Sequence, residues 1–146
     1  MLSKISSKYV SNRAWLRDVV GGREVILCGV SALEFLDMFV GYMDENKVYV
    51  YAKEKCLSDN VDYKIVNNFD NIEYIIIGNV MCTSFTQTIN DMLRSIDTTD
   101  EAALTEALSN YYYSNSESFD GIKIEPDNML TFQTLKPLAI EYYSGG

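Results

Sequence analysis

Apolar residues recur at helical spacing in the first part of the chain. Residues 5–20 carry such a stripe, and Gly21-Gly22 follows as a predicted helix end. Ser31 precedes Glu34 by three residues, which is the spacing of a capping box and predicts the start of a second helix. A short apolar segment over 25–28 separates these two helices.

The middle of the chain has the pattern of β-strands. Residues 47–53 and 61–66 alternate along the chain and are rich in β-branched and aromatic side chains. Residues 74–77 form a continuous apolar run, which is typical of a strand covered on both faces. The pair 78–79 is predicted to turn the chain, so that 80–82 returns as a partner strand.

The helical periodicity is clearest after the strands. Residues 85–96 place apolar side chains at i, i+4, i+7, i+8 and i+11. Thr98 and Glu101 have the spacing of a second capping box and predict the start of the next helix. Residues 127–143 keep helical spacing, but Pro137 is expected to kink or restart that helix.

The order of these elements predicts an α+β fold. Strands occupy the middle of the chain and helices occupy both ends, so we expect a small mixed or antiparallel sheet with helices packed on it. No linker, internal repeat or low-complexity tract interrupts the pattern. Residues 1–146 are therefore expected to form a single domain.

Composition limits the chemistry that this chain can carry out. It contains no histidine, so it lacks the commonest general base and metal ligand. Its cysteines, at 28, 56 and 82, are too widely spaced for a zinc or CxxC motif and are expected to be reduced and mostly buried. No phosphate-binding glycine loop or serine-hydrolase elbow is present. The sequence therefore predicts a protein that is not an enzyme and holds neither a cofactor nor a metal.

The net charge of −9 arises entirely in the second half of the chain. Residues 1–64 hold nine basic and nine acidic side chains, whereas residues 65–146 hold three basic and twelve acidic ones. Because binding to phosphate backbones needs clustered bases, direct binding of nucleic acid is not expected. The alternative is a nucleic-acid-binding domain, acting as a dimer, that uses the modest basic cluster of the first helix. That cluster consists of Lys4, Lys8, Arg13, Arg17 and Arg23.

Nothing in the sequence points to a membrane. No apolar run approaches the ~20 residues of a membrane-spanning helix, and the first residues lack the pattern of a signal peptide. We therefore expect a cytoplasmic protein without membrane contact.

Tyrosine is unusually abundant, with eleven residues. Tyr111 continues the apolar stripe of its predicted helix, so Tyr112 or Tyr113 is expected to be partly exposed. Such amphipathic rings are enriched at protein–protein interfaces, although they could instead pack under the polar loop 114–120. The predicted partner-binding set is completed by nearby acids. These are Glu117, Asp120, Glu125 and Asp127.

Four short segments between residues 13 and 113 together resemble, in their order and spacing, the motifs of a known protein family. The stretch V-S-A-L-E-F-L at 30–36 and K-V-Y-V at 47–50 are followed by T-I-N-D-M-L at 88–93 and D-E-A-A-L-T-E-A-L at 100–108. They resemble, in turn, the S-A-L helix, the I-Y-V strand, the T-I-x-D-L-L motif and the D-x-E-x-x-x-E-A-L helix of the AbiEi family. That family is the antitoxin and transcriptional-regulator half of type IV toxin–antitoxin systems. The motif positions in this chain are Ser31, Thr88 and Asp91.

The chain also departs from the family pattern. Thr86-Gln87 stands where the family has an acid–base pair, and the family's N-terminal winged helix–turn–helix has no counterpart in residues 1–24. The resemblance is therefore to the C-terminal domain alone, so sequence-specific repression is not expected. Asp91 is interpreted first as a structural hydrogen-bond acceptor on a helix and second as a contact residue.

The resemblance implies a non-enzymatic antitoxin-like or regulatory protein that binds and counteracts a partner protein. We expect that partner to be basic or nucleic-acid-binding, because charge complementarity speeds encounter. The alternative is a phage-encoded, anti-CRISPR-like inhibitor of a bacterial defence system, whose acidic surface occupies a nucleic-acid-binding groove. Both would act in the cytoplasm of a bacterial host or a phage-infected cell, and a homodimer is compatible with either.

Overall fold

The computed structural model describes residues 12–39, 47–57 and 60–144. The helices are α1 (Asn12–Val20), α2 (Gly29–Phe35), α3 (Phe85–Arg94), α4 (Glu101–Ser114) and α5 (Met129–Ser144), with a short 3-10 helix over Pro126–Asn128 before α5. The strands are β1 (Val25–Leu27), β2 (Val48–Ala52), β3 (Val61–Ile65), β4 (Tyr74–Ile77) and β5 (Val80–Thr83).

The strands form one mixed sheet in the order β3-β2-β1-β5-β4. β1 pairs antiparallel with β2 and parallel with β5, β2 pairs parallel with β3, and β4 pairs antiparallel with β5. The predicted α+β architecture, a small mixed sheet with helices from both ends packed on it, is confirmed. β4 and β3 are the two edge strands of this sheet.

One face of the sheet is covered by α1 and α2. Leu27 and Val50 lie opposite each other on neighbouring strands and pack with Leu16 of α1 and Phe35 of α2. All four side chains are at most 1% exposed. Full burial of side chains of this size stabilises the fold by roughly 1.5–3 kcal/mol each, so this cluster anchors the central strands.

A second core joins α3, α4 and α5. Ile89 of α3, Leu104 and Leu108 of α4, and Phe132 of α5 belong to it, and α2 contributes Leu33. This cluster holds the helices from the end of the chain against the middle of the molecule. The apolar periodicity of residues 85–96 has its cause here, because Ile89, Met92 and Leu93 of α3 are buried in this cluster.

The predicted break at Pro137 does not occur, since α5 is continuous from Met129 to Ser144. Pro137 lies on an exposed side of the helix, and Leu135 and Ala139 on either side of it are buried in the second core. Packing on both sides of the proline holds the helix together although the ring removes one backbone hydrogen bond.

Both predicted capping boxes are wrong in position. α2 begins at Gly29 with Cys28 as its N-cap residue, and the Ser31 hydroxyl instead accepts a hydrogen bond from the Tyr49 backbone N–H at 3.0 Å. α4 is capped by Asp100, whose carboxylate accepts from the Ala103 N–H at 3.0 Å. A carboxylate is a stronger acceptor than a hydroxyl, which favours Asp100 over its neighbour Thr98.

Some expectations fall outside the described part of the chain. The first helix is described only from Asn12, so residues 5–11 of its predicted range lie outside. The same holds for Lys4 and Lys8 of the basic cluster.

Candidate interaction surface

β4 is an apolar strand whose four side chains are all exposed. Its exposed fractions are 37% for Tyr74, 39% for Ile75, 65% for Ile76 and 37% for Ile77. The prediction of a strand covered on both faces is therefore wrong. The reason is position: β4 lies at the end of the sheet, and among the described strands it is paired with β5 alone.

A tight hairpin fixes the orientation of β4. Ile77 pairs with Val80 across the two-residue turn 78–79, as predicted, and Gly78 has a φ of +63°. A positive φ at the first turn residue alone matches a type II′ turn, which suits the twist of a hairpin and favours glycine. The Ser84 N–H donates to the Glu73 carbonyl at 3.0 Å, so the pairing continues just before β4.

This pairing decides which backbone groups of β4 reach the solvent. In an antiparallel pair, alternate residues direct both their N–H and C=O towards the neighbouring strand. Because Glu73 and Ile77 belong to the set that faces β5, the N–H and C=O groups of Tyr74 and Ile76 point away from the sheet. These two residues form the open backbone edge.

The apolar surface of β4 continues from the interior of the sheet. Met81 of β5 lies beside Ile26 of β1 on one side and beside Ile76 of β4 on the other. Ile26 is fully buried, Met81 is half-buried, and Ile76 is 65% exposed. Exposure thus increases across three strands towards the sheet edge.

An acidic groove of about 320 Å³ adjoins the start of β4. Glu73 and Glu125 line it, together with Lys123 as the single basic residue. Glu125 also forms an ion pair with Arg94 at 2.7 Å. The groove brings Glu125, one of the predicted partner-binding acids, next to the start of β4.

The tyrosines at the end of α4 are partly exposed, as expected. Tyr113 is 39% exposed, and its hydroxyl donates to the Ile140 carbonyl of α5. Tyr112 is half-buried and packs on Phe119 with ring centroids 4.7 Å apart, so it lies against the loop as in the alternative interpretation. Both rings also serve the packing of the helices, and their role in partner binding stays a prediction.

The remaining predicted acids are exposed but dispersed. Glu117 and Asp120 lie in the loop after α4, and Asp127 lies in the 3-10 helix. The Asp120 carbonyl accepts a hydrogen bond from the Tyr111 hydroxyl, which ties this loop to α4. No ion pair is formed by these three side chains among the described residues.

The three motif residues are all in the interior. Ser31 and Thr88 are fully buried, and the Thr88 hydroxyl lies 2.7 Å from that of Thr83. Asp91 is 3% exposed. None of the three is available as a surface contact in this structure.

Asp91 is a structural acceptor, as its first interpretation predicted. Its Oδ2 accepts from the Tyr51 hydroxyl at 2.7 Å, and its Oδ1 accepts from Gln87 Nε2 and Arg94 Nη1 at 3.0 Å each. Burial, and then the hydrogen bond to this carboxylate, raise the pKa of Tyr51 well above its usual range. The hydrogen bond to Glu125 is the largest cause that raises the pKa of Arg94, so the guanidinium stays charged.

A cleft of about 450 Å³ lies beside Asp91, and no sequence pattern predicts it. Its walls include Tyr49 of β2, Asp62 and Lys64 of β3, and Thr99 of the segment before α4, which are distant in sequence. No motif spacing could have grouped such residues. The Asp91 oxygens in this wall are already hydrogen-bonded, and the described residues contain no group of three or more Cys, Asp or Glu side chains able to hold a metal ion.

Two of the three cysteines are buried, in keeping with the expectation of mostly buried thiols. Cys28 follows β1 and Cys82 lies in β5, and burial raises the pKa of each thiol to about 12. Cys56 is exposed. All three are free thiols.

No protein-family model, curated protein or solved structure matches this chain. The resemblance to the AbiEi family therefore stays a prediction. As for membrane association, the helices in the described ranges are all too short or too polar to cross a bilayer.

Proposed function

We propose that this chain acts without catalysis, as an antitoxin-like or regulatory protein that binds and counteracts a partner protein. The observation that carries the proposal is β4, whose four apolar side chains are exposed at the edge of the sheet. Contiguous exposed apolar residues mark sites that another molecule covers. Binding of a protein partner would remove this surface from water.

The charge around β4 supports a basic or nucleic-acid-binding partner. Residues 65–93 contain no lysine or arginine, and Asp70 and Glu73 lie just before the strand. Glu125 in the groove beside Glu73 is already paired with Arg94, whereas Glu73 forms no ion pair among the described residues and is the acid that a basic partner would meet. A basic partner would be attracted to this side of the molecule by long-range steering.

The exposed acids between α4 and α5 favour a second candidate function. Glu117, Asp120 and Asp127 are all exposed and could occupy a basic groove that normally holds nucleic acid. In this case the chain would be a phage-encoded inhibitor of a bacterial defence system. The loop after α4 carries the contacts of Tyr111 and Tyr112, so partner binding and folding would share residues.

Growth rescue tests the first function. The chain is coexpressed with the product of the adjacent reading frame, and restored growth is expected if that product is a toxin. Ile76→Lys should abolish rescue, whereas Leu138→Lys, which changes a 50% exposed leucine on α5, should not. Equal rescue by both variants would exclude β4 as the contact, and failure of the intact chain to restore growth would count against the antitoxin function.

Protection of phage from a defence system tests the second function. The variant that combines Glu117→Gln, Asp120→Asn, Glu125→Gln and Asp127→Asn should lose protection if the acids occupy a nucleic-acid groove. Tyr112→Ala and Tyr113→Ala test the tyrosine surface in the same assay. Protection that survives all six substitutions would leave β4 as the interface and remove groove occupation as the mechanism.

A further inference from the structure

We infer that β4 binds its partner by strand addition: an extended segment of the partner, alternating basic and apolar residues, pairs with β4 as a sixth strand of the sheet. This inference rests on the proposed function and specifies the contact through which it operates.

The first step is the open backbone edge. Tyr74 and Ile76 direct their N–H and C=O groups away from β5, and no other backbone within the described ranges pairs with them. A row of unpaired backbone groups on an edge strand is a template for another strand. Strand addition uses these groups for affinity and side chains for specificity.

The second step is the absence of the usual protection of edge strands. Soluble proteins commonly place charges or prolines on such edges. β3, at the opposite edge of the same sheet, carries Asp62 and Lys64, whereas β4 carries no charge and no proline. One edge of this sheet is therefore protected against pairing and the other is left open.

The third step is the chemistry of the added strand. Tyr74 and Ile76 offer apolar contacts on one face of β4, which suits the apolar residues of the partner strand. Glu73 shares the other face with Ile75 and Ile77, so basic residues there can approach its carboxylate while their aliphatic stems pack on the isoleucines. Cross-strand pairs with β-branched side chains stabilise such contacts. Glu73 and the acidic groove at the start of β4 favour lysine or arginine at the adjoining position of the partner strand.

The same charges disfavour a second copy as the occupant. In an antiparallel pair of two β4 strands, Glu73 of each copy would lie opposite the apolar end of the other strand, so it would gain no basic partner. Each copy also carries a net charge of −9. Chains of like net charge repel each other, so a basic segment of another protein fits this edge better.

Peptide binding tests the inference directly. The probe is a fluorescein-labelled, end-capped hexapeptide that alternates lysine with valine, titrated with the full chain and followed by fluorescence anisotropy. A dissociation constant between about 10 μM and 1 mM is expected for so short a strand. Two control peptides accompany it: one with alternate backbone nitrogens methylated, which cannot donate, and one with glutamate in place of lysine.

Matched proline variants locate the contact. Ile76→Pro removes an outward N–H from β4 and should weaken binding about tenfold or more, since one hydrogen bond and its fit are lost. Ile65→Pro is the control on the other edge. Val66 donates to Ala52 and Asn60 accepts from Val48, so the alternation of a parallel pair also directs the Ile65 N–H outward, on β3. This variant should bind the peptide like the wild type.

Each outcome decides the inference. Loss of binding on peptide methylation and in Ile76→Pro, with binding kept in Ile65→Pro, supports strand addition; the methylated peptide keeps the test valid even if a proline variant does not fold. No binding of the lysine peptide to the wild-type chain, or equal binding of the methylated or glutamate peptide, overturns it. Concentration-dependent dimerisation that Ile76→Pro removes would replace the partner strand with a second copy.

The failure of this inference can be separated from the failure of the proposed function. Growth rescue that survives Ile76→Pro would refute strand addition while leaving the antitoxin-like function in place. Peptide binding at β4 without any rescue or phage protection would establish the docking mode and refute the counteracting function.

Discussion

β1 and β4 have the same kind of sequence and opposite surroundings. Val25–Leu27 and Tyr74–Ile77 are both uncharged apolar runs, yet every side chain of β1 is fully buried and those of β4 are 37–65% exposed. β1 has strand neighbours on both sides and helices on one face, whereas β4 has one strand neighbour in the part of the chain that the structure describes. An apolar run thus predicts a strand whose side chains are stabilised by burial. It does not predict that residues of the same chain will bury them.

The largest difference between β1 and β4 is expected in the free energy of unfolding when one isoleucine of each strand is truncated to alanine. Ile26 and Ile76 flank the same residue, Met81, and differ in exposure between 0% and 65%. Ile26→Ala should lower the free energy of unfolding by about 2–5 kcal/mol because it removes buried methyl groups and leaves a cavity. Ile76→Ala should change it by less than about 1 kcal/mol.

Urea unfolding followed by circular dichroism measures both values in parallel. A large loss of stability in Ile76→Ala would mean that β4 is covered in the free protein. That result would remove the main observation behind the proposed interface.

The next largest effect on stability is expected for Asp91, a buried residue of α3 that is hydrogen-bonded to Tyr51 of β2. Asp91→Ala leaves the Tyr51 hydroxyl, Gln87 amide and Arg94 guanidinium without their common acceptor. Loss of about 1–3 kcal/mol is expected from such unsatisfied groups. Asp127→Ala, at an exposed position, is the matched control and should stay within about 0.5 kcal/mol. A similar loss in both variants would contradict the structural role of Asp91.

Alkaline pH should weaken the central strands selectively. Burial raises the pKa of Cys28 and Cys82 from 9.0 to about 12, so both thiols are neutral in the folded protein when they already ionise in the unfolded one. Their contribution to stability is complete below pH 9 and is lost as the pH rises towards 12. Each thiol should cost up to about 1.4 kcal/mol per pH unit in this window.

The raised pKa of Tyr51 acts in the same direction above pH 10, its ordinary value. Denaturant unfolding at a series of pH values tests the slope, and Cys28→Ala should reduce it. A free energy of unfolding that stays constant from pH 9 to 11 would show that these groups are not shielded from water.

The smallest effect is expected for Tyr113, an exposed side chain that, unlike those of β4, forms a hydrogen bond to another element of the fold. The Tyr113 hydroxyl donates to the Ile140 carbonyl and links α4 to α5. Tyr113→Phe removes only this hydrogen bond and should cost about 0.5–1.5 kcal/mol. Thermal unfolding measures the difference. An unchanged melting temperature would show that this hydrogen bond does not stabilise the fold and would leave partner binding as the role of Tyr113.

Local patterns predicted the elements of the fold well, because each depends on neighbours along the chain. This holds for the hairpin at Gly78, for the helices of the second core and for the structural role of Asp91, all of which were predicted from local sequence. The sequence could not place β4 at an edge, since strand order depends on contacts distant in sequence. The errors at Ser31 and Pro137 have a similar cause, because tertiary contacts there override local capping and helix-breaking preferences. The error at Thr98 is local, since the nearby Asp100 carboxylate is the stronger acceptor.

The candidate site was harder to predict than the fold. Glu125 was identified by charge, but its neighbour Glu73 in the groove lies 52 positions earlier in the sequence and on another element. The cleft beside Asp91 is likewise assembled from distant segments. Charge and residue type identify components of such surfaces, and only the folded chain shows which of them meet.

The unequal burial of the thiols provides a ready reporter position. Cys56 lies in the connection that leads from β2 to β3, at the far edge of the sheet from β4, with three strands between these two edges. At about 4.8 Å per strand, a dye attached to it would stand roughly 20 Å away from the open edge. A maleimide fluorophore at neutral pH should therefore label the wild-type protein at one position, and energy transfer to a labelled ligand could follow docking without any engineered residue.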